Sequence, residues 1–262
     1  MKEILSVKNL TYKSIFKDLN LDIKENTFNL IAGSNKCGKT TLIEILSGII
    51  EVENTCFYKK TDILKLKSYE FSTSFSHVIF TGNFNFHFLS LDQEILFELD
   101  KVEITNSERK MKYKHLTKIF DLQEKLYNDI NSLSYFEKMK SLVLLSVIRS
   151  PKILLLDNVL DDLSENEATQ IIQILKKIGG MTVIIGSSSL ACATLFDYIH
   201  ILDKDGIVLS DETLGVLKED SKLNKLGLAL PFMVDLSIKL KYYGLVDDIM
   251  LDMNRMVDKL WK

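Results

Sequence analysis

The sequence predicts an α/β fold of the doubly wound kind, one large domain with a small helical appendage. The continuous apolar run Ile153 to Leu156 reads as a strand covered on both faces, as the strands of parallel sheets are, and Met181 to Ile185 reads as another buried strand. Amphipathic helical stretches lie before and between them, so strand and helix alternate as such a sheet requires. Size agrees with this. The 262 residues, 46% hydrophobic and 26% charged, suffice to bury one such core.

In chain order, Ile4 to Leu10 and Leu19 to Ile23 read as strands joined by a turn around Lys13 and Ser14. The turn Lys24-Glu25-Asn26 leads into a third strand, Phe28 to Ala32. A helix is expected from Thr40, with Leu42, Ile45, Leu46 and Ile49 at helical spacing and Gly48 near its end. Residues 51 to 75 suggest further short strands, followed by an aromatic-rich loop from Thr81 to Phe88. From Asp92 to about Leu145 the pattern is helical. The helix beginning near Ser134 carries Met139, Leu142, Leu145 and Ile148 on one stripe and stops before Pro151. The strand Ile153 to Leu156 is followed by a helix over 165–178 with Ala168, Ile171, Ile172 and Leu175 inward. Asp205-Gly206 marks a hairpin between Tyr198 to Leu202 and Ile207 to Leu209. In the tail, Met233, Leu236, Leu240 and Tyr243 fall at spacings of three and four, and Gly244 ends that helix. Ile249, Met253, Met256, Leu260 and Trp261 make a second stripe.

Charge and composition narrow the function. Net charge is −3 with no basic block, which argues against nucleic acid as a main partner. The most apolar stretch, Leu142 to Ile148, is far shorter than the ~20 residues a membrane-spanning helix needs. No signal-peptide apolar region opens the sequence, so the chain is expected to stay inside the cell. Cys37, Cys56 and Cys192, odd in number and widely spaced, fit reduced thiols rather than disulfides or a zinc site.

Gly33-Ser34-Asn35-Lys36-Cys37-Gly38-Lys39-Thr40 matches G-x-x-x-x-G-K-[ST], between an apolar run and a helix as a phosphate-binding loop requires. Backbone N–H groups wrapped round the phosphates, with the positive end of the following helix, hold the anion. Lys39 is expected to reach the β/γ-phosphates and the Thr40 hydroxyl to meet Mg²⁺, with Thr41 continuing the site into the helix. Lys36 stands where many such loops have another glycine. A φ > 0 requirement there costs ~1 kcal/mol and sets a second cation beside the phosphates.

Asn131-Ser132-Leu133-Ser134-Tyr135-Phe136-Glu137 opens a helix that runs into Pro151-Lys152-Ile153-Leu154-Leu155-Leu156-Asp157. That order, signature motif, helix, then Walker B strand, resembles the ABC ATPases over nearly the whole chain. The segment Leu223 to Phe232 and the helix behind it are similar to the C-terminal extension of the energy-coupling factor (ECF) ATPases of vitamin and metal importers. The resemblance implies a P-loop NTPase of ABC type: a RecA-like parallel sheet core, an N-terminal antiparallel β subdomain and an α-helical signature subdomain. It implies an ATPase domain over 1–215, with the helical subdomain at about 90–150, and a helical dimerisation extension over 216–262. ATP and Mg²⁺ are the implied cofactors. A second ABC ATPase subunit, in a favoured heterodimer, and integral-membrane transport subunits are the implied partners, at the cytoplasmic face of the membrane. In this reading Asp157 and Thr40 order Mg²⁺, Ser134 serves the partner's ATP, and Tyr12 or Phe16 stacks on adenine.

The resemblance further implies that several of the family's catalytic side chains are replaced in this chain. Asn158 stands at the position of the glutamate that polarises the attacking water, and an amide does not accept that proton. Ser188 stands at the histidine position, Thr81 at the glutamine position and Ser164 at the aspartate of the loop after Walker B. In the signature, Leu133 and Ser134 remain, while Tyr135, Phe136 and Glu137 replace Gly-Gly-Gln, which crowds the approach of phosphate to the backbone. The leading expectation is an ATP-binding half with impaired hydrolysis in a heterodimeric importer. The alternatives are an active homodimer using a shifted carboxylate, Asp161, Asp162 or Glu165, and a regulatory ABC protein outside transport.

Overall fold

The computed structural model describes residues 2–204, 206–251 and 253–261. Its elements in order are β1 (Glu3–Tyr12), β2 (Phe16–Lys24), β3 (Phe28–Gly33), α1 (Lys39–Leu46), β4 (Cys56–Tyr58), β5 (Thr61–Asp62), α2 (Ser68–Ser74) and β6 (Phe75–Ile79). Then come α3 (Leu91–Asp100), α4 (Asn106–Ile119), α5 (Tyr135–Val147), β7 (Ile153–Asp157), α6 (Glu165–Ile178), β8 (Thr182–Ser187), β9 (Tyr198–Asp203) and β10 (Gly206–Glu212). The chain closes with α7 (Thr213–Leu217), α8 (Asp220–Lys225), α9 (Phe232–Tyr242) and α10 (Met253–Leu260).

Two sheets form. One is antiparallel, in the order β2-β1-β4-β5, and the other runs β10-β9-β3-β8-β7-β6. From β9 to β6 the second sheet is parallel, and β10 pairs antiparallel with β9 at its edge. Every residue of β3, β7 and β8 is buried, which is why these strands are mostly apolar without the alternation of a half-exposed strand. Their side chains divide by alternation. Leu154 and Leu156 of β7 join a core made with α3, α5 and α6, while Ile153 and Leu155 join one made with α1 and the antiparallel sheet. Sheet, flanking helices and β-layer therefore share a central parallel sheet, whose C-terminal strand ends deliver the site residues.

The helix starts have local causes. Thr105/Glu108, Ser134/Glu137 and Ser164/Glu167 each form a reciprocal capping box at the beginning of α4, α5 and α6. Some boundaries differ from expectation. Residues 51–75 hold β4 and β5 but end in helix α2, anchored by Phe71 stacked on Phe75 at 4.7 Å. The helical stretch 92–145 is broken at 101–105 and again between α4 and α5, where short 3₁₀ turns carry the chain. On α5 the buried face is Met139, Val143, Leu144 and Val147; Leu142 and Leu145 are only half-buried. α1 stops at Leu46, and Ile49 lies beyond it, exposed. Gly206 pairs with Asp203 at the β9–β10 turn, whereas Asp205 lies outside the described residues. In the tail, the buried Ser237 hydroxyl donates to the carbonyls of Met233 and Met250 and accepts from the Met250 N–H at 3.0 Å, tying α9 to the segment before α10. No helix among the described residues is long and apolar enough to cross a membrane.

Candidate nucleotide site

β3 enters the phosphate loop at Gly33, where an added Cβ would lie 2.3 Å from the Leu202 carbonyl oxygen, so glycine is the residue that fits between β3 and β9. The loop then turns through the left-handed region twice, at Lys36 (φ 68°) and at Gly38 (φ 103°). Gly38 lies on Ile15 and Phe16, and a Cβ there would meet the Ile15 Cγ2 at 2.8 Å. Helix α1 starts at once. Lys39 is buried and its Nζ donates to the carbonyls of Gly33 and Ser34 at 2.9 and 3.0 Å, bracing the loop from inside.

β7 brings Asp157 to the same place. Its carboxylate is fully buried; Oδ2 accepts the Thr40 hydroxyl at 2.5 Å, while Oδ1 is buried without a partner. Burial raises the Asp157 carboxyl above the ordinary range, opposed by the Thr40 hydrogen bond and the Lys39 charge. Opposite Asp157 in the pairing of β7 with β8 stands Gly186, whose added Cβ would fall 2.4 Å from Oδ1. A buried carboxylate oxygen without a partner, on the same side chain whose other oxygen accepts a threonine hydroxyl, fits a hard dication that prefers oxygen ligands. No cluster of three or more His, Cys, Asp or Glu suited to a metal occurs among the described residues, so such a cation would be held by this pair together with phosphate and water.

Ile15, Asn35, Lys36, Gly38, Lys39, Thr40, Thr41 and Asn158 line a cavity of about 450 Å³. Asn158 follows Asp157 in a left-handed conformation (φ 56°), its N–H on the Gly186 carbonyl at 3.2 Å and its amide nitrogen donating to Asp157 Oδ2 at 3.3 Å. The neighbouring carboxylates each accept a hydrogen bond from another segment, although Asp161 Oδ1 is buried without a partner. Asp161 Oδ2 accepts both the N–H and the hydroxyl of Ser188, at 2.9 and 2.7 Å, and Asp162 accepts the Tyr135 hydroxyl at 3.2 Å. Ser164 caps α6. Thr81 is exposed, just after β6 and Phe80, whose N–H donates to the Asp157 carbonyl at 3.0 Å.

At the start of α5, Leu133 is buried and Ser134 is exposed, its hydroxyl accepting the Glu137 N–H at 3.2 Å. Glu137 turns back to the Ser134 N–H at 2.8 Å and pairs with Lys125 at 3.1 Å, contacts that lower its carboxyl below the ordinary range. Its charge is thereby directed into the cap. The Tyr135 ring packs edge-on against Phe84 (5.2 Å) and Phe80 (6.1 Å), and Phe136 is half-buried under Lys140. Of the two aromatics considered for adenine, Phe16 is core, whereas Tyr12 is half-buried at the end of β1 with the Lys13 ammonium 5.0 Å from its ring centre, outside the cavity lining. Ile15 and Gly186 are site elements that the sequence does not mark, whereas Asp161 and Asp162 are legible there only as alternative bases and not through their contacts with Ser188 and Tyr135. Gly186 sits in an apolar strand run, and only strand pairing reveals what its missing side chain leaves open.

The sequence profile of the family described as ABC transporter matches residues 16–161, more than half of the chain. The energy-coupling factor transporter ATP-binding protein EcfA of Onion yellows phytoplasma (strain OY-M) is 25% identical over 250 residues, covering 94% of this chain and 90% of that protein. The spermidine/putrescine import ATP-binding protein PotA of Clostridium novyi (strain NT) is 28% identical over 216 residues, and this chain spans only 61% of its length. Among solved structures, cbiO1 from Clostridium perfringens, described as part of the ABC transporter complex cbiONQ, superposes with a TM-score of 0.77 at 20% identity, covering 90% of this chain and 99% of that one.

Proposed function

The chain belongs to the ABC transporter family, and on that premise we propose that it is the ATP-binding subunit of an ECF-type importer whose own site holds Mg²⁺ and ATP with impaired hydrolysis. One observation carries this reading: at the end of β7 a buried carboxylate with one unpartnered oxygen, Asp157, is followed by an amide, Asn158, that lines the phosphate cavity. The loop amides and Lys39 bind the phosphates, and Thr40 and Asp157 hold the cation, which when bound neutralises phosphate charge. Asn158 orients water without taking its proton. Loss of a positioned general base typically lowers the rate by ~10² to 10⁴. Of the three carboxylates that the homodimer with a shifted base would use, Asp161 holds Ser188 through Oδ2 and Asp162 holds Tyr135, which weighs against these two, while Glu165 lies exposed in the first turn of α6.

The ATPase domain spans 1–215, with its helical part at about 90–150, and Ser134 at the exposed start of α5 serves a partner's nucleotide. Agreement in length with EcfA, against 61% of PotA, supports the ECF type. Exposed apolar side chains on the tail, 216–262, support its pairing with a second ATPase subunit, and exposed Leu89, Leu96 and Phe97 support docking of an integral-membrane subunit on the 81–98 segment, at the cytoplasmic face. Tyr12 remains the proposed adenine contact.

The test is co-purification with the membrane complex, then ATP binding and hydrolysis by that complex and by the chain alone. The chain alone is expected to bind ATP with Mg²⁺ and to turn it over slowly. Asn158→Glu combined with Ser188→His is expected to raise turnover in the complex by at least tenfold. Brisk hydrolysis by the isolated chain, abolished by Asp157→Asn, would instead establish the homodimer; recovery of no membrane protein would favour the regulatory reading.

A further inference from the structure

Lys36 combines three properties that the nucleotide reading alone does not require. It holds a left-handed backbone (φ 68°), a conformation that disfavours any residue with a Cβ and that glycine adopts freely. It lines the phosphate cavity together with Lys39, Thr40, Thr41 and Asn158. Its side chain is exposed, and no ion pair or hydrogen bond engages its ammonium among the described residues, unlike Lys39, whose Nζ is turned inward onto the carbonyls of Gly33 and Ser34.

We propose that Lys36 is a second phosphate-binding cation of this cavity, one that makes the site selective for polyphosphate tails over a monophosphate. The inference rests on the nucleotide reading given above. Lys39 braces the loop at its base, and Lys36 stands at the rim, free to swing onto the β- and γ-phosphate oxygens. A nucleoside triphosphate with its cation still carries excess negative charge, and a flexible ammonium at a cavity mouth meets it at little reorganisation cost. In a site without a general base, such a contact holds the ligand and has no step of hydrolysis to obstruct.

Three variants of the full chain separate charge from backbone. Lys36→Gln keeps the strain and loses the charge, Lys36→Gly loses both, and Lys36→Arg keeps both. Calorimetric titration with ATP and with AMP, each with Mg²⁺ and at two salt concentrations, reads the outcome. Lys36→Gln and Lys36→Gly are both expected to bind ATP about tenfold more weakly and to show a shallower salt dependence. AMP affinity is expected to change less than twofold, and Lys36→Arg to match the natural protein. Gln binding ATP within twofold of the natural protein would overturn the proposal, as would a Gly variant that recovers full affinity, since the backbone would then be the cause. If the natural protein binds neither nucleotide, the reading of the whole site falls, and this inference with it.

Discussion

Across the sheet from Asp157, Gly186 leaves room for one buried carboxylate oxygen by having no side chain. A methyl group there would lie 2.4 Å from Asp157 Oδ1 and 2.6 Å from Ile43 Cδ1, and neither neighbour sits at the loose end of a surface chain. Gly186→Ala is expected to lower stability by about 1 to 3 kcal/mol, as overpacking does, and to weaken the dependence of ATP binding on Mg²⁺. Thermal unfolding and a magnesium titration of ATP binding measure the two effects. An alanine variant with unchanged magnesium dependence would remove Gly186 from the account. Asp157→Asn should separate stability from binding in the opposite sense. Burial raises the Asp157 carboxyl, so the charged form opposes folding in the ligand-free chain, and this opposition grows as pH rises through the carboxylate range. The amide is therefore expected to raise ligand-free stability near neutral pH by on the order of 1 kcal/mol while abolishing magnesium-dependent binding. Calorimetry without and with Mg²⁺ and ATP checks both signs.

Elements differ in how openly the sequence declares them. α5 and α6 begin at serine capping boxes whose signal is contained in four consecutive residues, and β7 and β8 are legible because strands buried on both faces need no polar alternation. The phosphate loop is legible for the same reason, since its ligand groups are neighbours in sequence. Helix α2 was not, because only Phe71 anchors it and its partner Phe75 belongs to the next strand. The contacts Asp161 with Ser188 and Asp162 with Tyr135 join residues 27 apart, which no local pattern encodes. A titrating group on β9 was hidden in the same way. His200 is buried between Asn29 of β3 and Ser210 of β10, and burial lowers its pKa from 6.5 to about 4. The unfolded chain binds its proton below pH 6.5 and the folded chain does so only near pH 4. Stability is thus expected to fall as pH drops through that window, by up to about 3 kcal/mol from this group. Denaturant unfolding of natural protein and His200→Gln at pH 7 and pH 4.5 tests this: the variant should lose less on acidification, and equal losses would exclude His200 as a source.

At the scale of the whole molecule, the tail leaves apolar surface that its own chain does not cover. Val234, Ser237, Val246 and Met256 face inward, which is enough to seat α9 and α10. Phe232, Tyr242, Tyr243, Leu251, Leu260 and Trp261 remain exposed, Tyr242 at 86% and Trp261 at 85%. Single exposed aromatics are ordinary, but so many along one 30-residue stretch form the kind of surface that protein interfaces use, with aromatic anchors foremost. If this surface pairs ATPase subunits, removing its anchors should separate the subunits without altering the phosphate cavity, which is built from the β1–β2 turn, the loop after β3, α1 and the residue after β7. Tyr242→Ala combined with Trp261→Ala is expected to weaken subunit association at least tenfold in sedimentation velocity of the chain with its partner ATPase, while ATP affinity of the isolated chain stays within twofold. Loss of both association and ATP binding would point to a folding defect, which the thermal transition of the double variant detects. Unchanged association with an unchanged transition would move the interface away from the tail and leave the phosphate loop and the start of α5 as the surfaces through which two such subunits meet.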